Sequence, residues 1–149
     1  MPTTTPTSTP AEELLFLGSR CRILATAEST GGQYGLVDMI EVAAGDMPPL
    51  HIHHTHDEGF LLLDGELSLF LPDREIALRP SEFVLAPRGI PHAYRVGDTP
   101  ARWLVLSTPA GFEGFVADIA ALDPVTPEAL TATGAVYGIE ILGPPGTMP

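Results

Sequence analysis

The 149-residue chain has no lysine and one cysteine, Cys21, and none of its apolar runs approaches the length of a membrane span, which is about 20 residues. Seven arginines stand against 19 acidic residues, for a formal net charge of -12. Such a surface repels phosphate backbones and anionic bilayers, so no nucleic acid and no membrane is expected as a partner. One thiol cannot form an internal disulfide, and it has no C-x2-C neighbour for a structural zinc or redox pair, so Cys21 reads as a packed side chain. The start of the chain lacks the basic and apolar regions of a signal peptide, and the expectation is a soluble, cytoplasmic protein. With 44% hydrophobic and 17% charged residues there is material for one well-filled core.

Short apolar segments alternate with turn signals from Leu14 to about Thr108, the rhythm of an all-β sandwich or barrel. Asp64-Gly65 predicts a tight hairpin joining Glu58–Asp64 to the leucine-rich segment ending at Leu71, because Asp-Gly accepts the positive φ angles of a type I′ turn. Leu61, Leu63, Leu67, Leu69 and Leu71 would then share the face opposite Glu58 and pack a second sheet or a partner subunit; a homodimer is the expectation. After Pro109 the period changes. Phe112, Phe115, Val116, Ile119 and Leu122 form the stripe of an amphipathic helix ended by Asp123-Pro124, and Thr126-Pro127 begins a second. Tyr137–Leu142 is apolar enough to pack. The chain thus divides into a disordered Thr/Pro-rich tail at 1–10, a barrel at 11–110, a C-terminal helical extension at 111–143 that covers an open end or edge, and a frayed tail at 144–149.

Four of the five histidines lie in His51-Ile52-His53-His54-Thr55-His56, and the fifth, His92, follows a Pro87-x-Gly89 turn. Alternate strand residues share a face, so His51 and His53 can aim at one point. Glu58 enters after a short bend and His92 arrives from another strand. Three imidazoles and a carboxylate suit one divalent transition ion, whether iron, manganese, cobalt, nickel, copper or zinc. His54 points away from His53, and His56 reads as a surface group or a support to the ligands. By strand parity Phe60 and Leu62 continue the face of Glu58, and Tyr94 and Val96 that of His92; with Met39 they are the candidate substrate-binding residues, and Trp103 is a weaker cavity candidate. Arg88 and Arg95 are candidates for an anionic substrate, set against simple charge balance.

The spacing Gly45-x5-His51-x-His53-x4-Glu58-x6-Gly65, then Ser81-x5-Pro87-x-Gly89-x2-His92-x3-Val96, resembles the two motifs of the cupin superfamily. The first motif is matched at every fixed position; in the second, Ser81 replaces a glycine and Val96 an asparagine. Pro48-Pro49-Leu50-His51, Asp57-Glu58-Gly59-Phe60 and the Tyr137–Glu140 tail are similar to small single-domain members described as quercetin-dioxygenase-like. The resemblance implies a double-stranded β-helix, a jelly-roll-like barrel, and a metal held by His51, His53, Glu58 and His92. It also implies a dioxygenase acting with O2 on a cyclic phenolic or enolic small molecule, flavonol-like, with Glu58 as the catalytic base. A non-redox isomerase or cyclase of a polyketide or sugar, or a metal-stabilised binding domain, fits the same four side chains.

Overall fold

The computed structural model describes residues 11–149; the expected disordered tail at 1–10 lies outside the described residues. The strands are β1 (Glu13–Phe16), β2 (Ser19–Ala25), β3 (Gly35–Val42), β4 (Pro49–His53), β5 (Asp57–Asp64), β6 (Leu67–Leu71), β7 (Arg74–Leu78), β8 (Phe83–Ala86), β9 (Ala93–Val96), β10 (Ala101–Thr108) and β11 (Ile139–Pro145). The helices are α1 (Ala27–Thr30), α2 (Phe112–Ala120) and α3 (Pro127–Val136). One layer is a six-stranded sheet in the order β1-β2-β3-β10-β5-β8; the other is formed by β11-β4 and β7-β6-β9. This is the expected all-β jelly roll, although its sheets do not merge into one closed barrel. An isolated antiparallel bridge between His51 and His92 joins the two smaller sheets. None of the helices among the described residues is long and apolar enough to cross a membrane.

The hairpin expected at Asp64-Gly65 does not form. β5 pairs with β10 on one edge and β8 on the other, while β6 pairs with β7 and β9 in the opposite layer. Gly65 does take a positive φ of 86°, yet the turn carries the chain across the sandwich. Apolarity decides the outcome. A hairpin with leucines on both faces would leave one face wet, whereas crossing lets β6 bury Leu67 and Leu69 in the core while β5 buries Phe60 and Leu62. The expected common leucine face is therefore split: Leu67 and Leu69 are buried, Leu61 is half-buried, and Leu63 is exposed on the outer face of the large sheet.

Both helices form as the pattern predicts. Thr126 caps α3 by accepting from the Ala129 amide at 3.1 Å, with Pro127 in the first turn. α2 buries Phe115, Val116 and Ile119. The packing segment after α3 becomes β11, antiparallel to β4 with Ile139 opposite His53 and Ile141 opposite His51. The ladder continues, with irregularities at Gly143, to Pro145 opposite Pro49, so pairing reaches into the end expected to fray.

Candidate metal centre

His51 and His53 lie on β4 and Glu58 on β5, and His92 sits beside β9 in the bridge with His51. The bridge is reciprocal: His92 N donates to His51 O at 3.0 Å, and His51 N to His92 O at 3.4 Å. Gly89 N donates to His53 O at 2.8 Å, which seats the Pro87-x-Gly89 turn on β4. Asp57, just before Glu58, accepts from both the amide and the guanidinium of Arg88, and Arg88 also donates to Thr108 O at 3.1 Å. Arg88 therefore clasps the start of β5 to the turn that carries His92. Arg95 lies over the Phe70 ring at 5.8 Å. Both arginines are occupied structurally, away from the cavity.

One ligating atom from each of His51, His53, Glu58 and His92 falls within 4.8 Å of the others, a group that can hold a metal ion. His51 Nδ1 donates to the Pro49 carbonyl at 2.7 Å, which leaves its Nε2 lone pair free. His53 Nδ1 and His56 Nε2 share a 2.7 Å hydrogen bond, and His56 is buried rather than at the surface. His53 Nε2 lies 2.9 Å from Glu58 Oε2 without a hydrogen-bond alignment, a buried nitrogen facing a carboxylate. His92 Nε2 is 3.1 Å from the same oxygen. Such a donor set fits a divalent ion. Burial, aided by His92 and His53, pushes the His51 imidazole down to about 3, and burial with His53 pushes His56 down to about 4, so both are neutral near pH 7. Burial acts to raise Glu58, but the His53 and His92 imidazoles outweigh it and hold the carboxyl well below its ordinary value. His54 is exposed and pairs with Glu140 at 2.9 Å, tying β4 to β11.

His51, His53 and Glu58 form part of the wall of a cavity of about 750 Å³, within the size range of small-molecule sites. Phe60 and Tyr94 line it, as strand parity predicts, and so do the candidates Met39 and Trp103. Leu62 and Val96 do not. Both share the expected strand faces but are wholly buried in the core, Val96 opposite Leu67 on β6. Phe112 brings its ring within 6.0 Å of that of His53, and Thr126 and Leu130 line the cavity from the α3 side, so the helical segment helps to wall the site. The sequence had no signal for Phe112 or for Asp46, another lining residue; the His53–His56 bond was foreshadowed by the histidine run alone.

Residues 38–107 match the family model described as a cupin domain, and both motifs and the jelly roll agree with it. Residues 38–107 thus carry a cupin domain. The chain is 35% identical over 85 residues to a quercetin 2,3-dioxygenase of Bacillus subtilis, covering 57% of this chain but 25% of that protein, so it spans about a quarter of the length of this relative. Among solved structures, it resembles the polyketide cyclase RemF from Streptomyces resistomycificus, with TM-score 0.54, 27% identity and coverage of 72% of this chain and 79% of the other. The DMSP lyase DddQ from Ruegeria pomeroyi also gives TM-score 0.54 at 27% identity, covering 66% of this chain and 56% of that chain. The relatives are enzymes of different chemistries.

Proposed function

We propose that this protein is a metal-dependent oxygenase acting on a cyclic enolic or phenolic small molecule of the flavonol kind. The observation that carries this reading is the convergence of three imidazoles and one ionised carboxylate, of which His51, His53 and Glu58 stand in the wall of a cavity otherwise lined largely by aromatic and aliphatic side chains. The likeness to a quercetin 2,3-dioxygenase supports it. His51, His53, Glu58 and His92 would hold the ion, which when bound supplies Lewis acidity that lowers the pKa of a substrate hydroxyl. The Glu58 carboxylate accepts that proton, its own low pKa keeping it ionised beforehand. Loss of the proton leaves an enolate, the electron-rich partner that O2 attacks. Phe60, Tyr94 and Phe112 hold the flat ring, and the helical segment screens it from water.

The likeness to a polyketide cyclase favours a second reading, in which the same proton abstraction by Glu58 starts a cyclisation that consumes no O2. Metal analysis of the purified protein, followed by an oxygen-electrode screen of flavonols and related enols, separates the two. The oxygenase reading expects oxygen uptake by wild type, loss of metal in His92→Ala, and retained metal with lost turnover in Glu58→Gln. Turnover without oxygen uptake would sink it.

A further inference from the structure

The cavity is not uniform along its length. Around the histidine cluster its wall is aromatic: the Phe60 ring lies 6.1 Å from that of His92, Phe112 lies 6.0 Å from His53, and Phe16 meets Phe112 edge-on at 6.0 Å. Beyond Phe16 the character changes. The outer wall comes from the β1–β2 turn, the loop before β4, the start of α3, and β11, which leads away from the histidines as Ile141 opposes His51 and Pro145 opposes Pro49. Leu17, Met47, Leu130, Ile141 and Leu142 line it, and among the described residues these segments bring no aromatic ring and one charged group, Asp46. Asp46 lies beside β9, the strand of Tyr94, its carbonyl accepting from Val96 N at 3.1 Å. Pro48, Pro49, Pro127, Pro144 and Pro145 line the outer part too, and a proline has no N–H to donate. Two of their carbonyls are already engaged, Pro49 O by His51 Nδ1 and Pro144 O by Thr147 Oγ1, each at 2.7 Å. Thr126 is committed to its cap, which leaves Ser19 and Thr131 as the other hydroxyls of this wall. A hydroxylated group bound here would find few partners, and a buried hydroxyl without one is unfavourable. Leu17 shows that the apolarity is held against a local cost. Its φ of 50° is one that asparagine and glycine adopt readily and leucine rarely. The turn thus puts an aliphatic side chain at the rim of the cavity where its own backbone favours a polar one.

We propose that this outer wall is a compartment for an aliphatic chain, so that the substrate is a flat enolic ring carrying an alkyl tail in place of a second, hydroxylated ring. The ring occupies the aromatic part of the cavity beside the histidines, and the tail runs past Leu17 and Leu130 to the rim. A volume of about 750 Å³ has room for a drug-sized molecule of this shape. Methylenes buried against leucine and proline supply affinity without any hydrogen bond. The proposal rests on the preceding reading in taking the enolic ring as the head of the substrate.

Binding rather than turnover tests it, by calorimetry on the full chain loaded with zinc, which has no redox chemistry of its own. The probes are flavonol analogues in which methyl, propyl, pentyl or heptyl replaces the pendant aryl ring, together with a flavonol whose pendant ring is a catechol. Each added methylene should tighten binding about three- to fourfold until the compartment is full. A hydroxyl on the central carbon of the pentyl chain should weaken binding about tenfold, and the catechol flavonol should bind more weakly than the heptyl compound. Two variants locate the effect. Leu17→Asn, which the turn backbone favours, and Leu130→Ser should each cut the advantage of heptyl over methyl by about five- to tenfold and leave methyl binding within about twofold. Equal binding of all tail lengths, an unchanged heptyl advantage in both variants, tighter binding of the catechol flavonol than of the heptyl compound, or failure of every probe to bind would each overturn the proposal. Tail-dependent binding with no oxygen uptake from any of these compounds would sink the oxygenase reading and leave the compartment standing. Oxygen uptake with the catechol flavonol and no dependence on tail length would sink the compartment alone.

Discussion

His56 shows how a residue outside both motifs contributes to the candidate centre. Its 2.7 Å bond to His53 Nδ1 orients that imidazole and sets its tautomer, leaving Nε2 to face Glu58. Partners of this kind affect metal affinity by about 10- to 100-fold. Competition with a chelator should therefore show a loss of that size in His56→Leu, with much of it restored in His56→Gln, which keeps an acceptor. Acid should weaken the metal-free fold for a related reason. His51 and His56 titrate near 3 and 4 when folded but near 6.5 when unfolded. The unfolded chain thus binds more protons across that interval, and the stability these imidazoles contribute is full above 6.5 and lost as the pH falls through it. Urea titrations from pH 7 to 4 should show a falling midpoint; a flat profile would contradict burial of the two rings. Cys21 behaves in the opposite sense. Burial, aided by Asp38, pushes its thiol up to about 11, so iodoacetamide at pH 8 should label it only after denaturation.

At the scale of elements, two turn positions show what a positive φ demands of the side chain. Gly65 has φ 86°, and a Cβ there would lie 2.8 Å from the Pro100 carbonyl oxygen. Gly65→Ala should cost about 1–3 kcal/mol in thermal or chemical denaturation. Ser81 stands where the second cupin motif has glycine and has φ 75°, with its amide donating to Leu62 O at 2.7 Å. The backbone there keeps the glycine conformation under a serine side chain. Ser81→Gly should therefore stabilise the protein by up to about 1 kcal/mol, the strain relief exceeding the added entropy of the unfolded chain. A lower denaturation midpoint in that variant would show that the serine relieves its own strain.

At the scale of the whole molecule, the outer face of the six-stranded sheet stands out. Leu61 pairs with Leu104 and Phe83, and Leu106 lies opposite Leu36 and Gly59. Leu63, Phe83 and Leu85 are exposed there. The homodimer expected from the leucine pattern would cover this face rather than one formed by Leu67 and Leu69, which the core consumes. Sedimentation should give twice the 15.8 kDa chain mass, and Leu61→Asp combined with Phe83→Ser should halve it; a wild-type species at 15.8 kDa removes the dimer.

Local pattern was sufficient for much of this protein. Period-2 alternation fixes which side of a strand a residue occupies, so Glu58, Phe60 and Leu62 share a face as read, and the 3.6-residue stripe with Thr126-Pro127 identified both C-terminal helices. The spacing of five histidines and one glutamate was enough to nominate the four side chains that come together. Strand partnership was not available at that level, because an Asp-Gly turn is compatible with a hairpin and with a crossing between layers. Only the competition for the edges of β5, and the need to bury Leu67 and Leu69, sent β6 to the other sheet. The same long-range pairing placed His92 opposite His51, sealed Val96 and Leu62 into the core, and brought Asp46, Trp103 and Phe112 to one cavity. Contacts between residues this far apart depend on how all the apolar faces are covered together, a global condition that no short window of sequence contains.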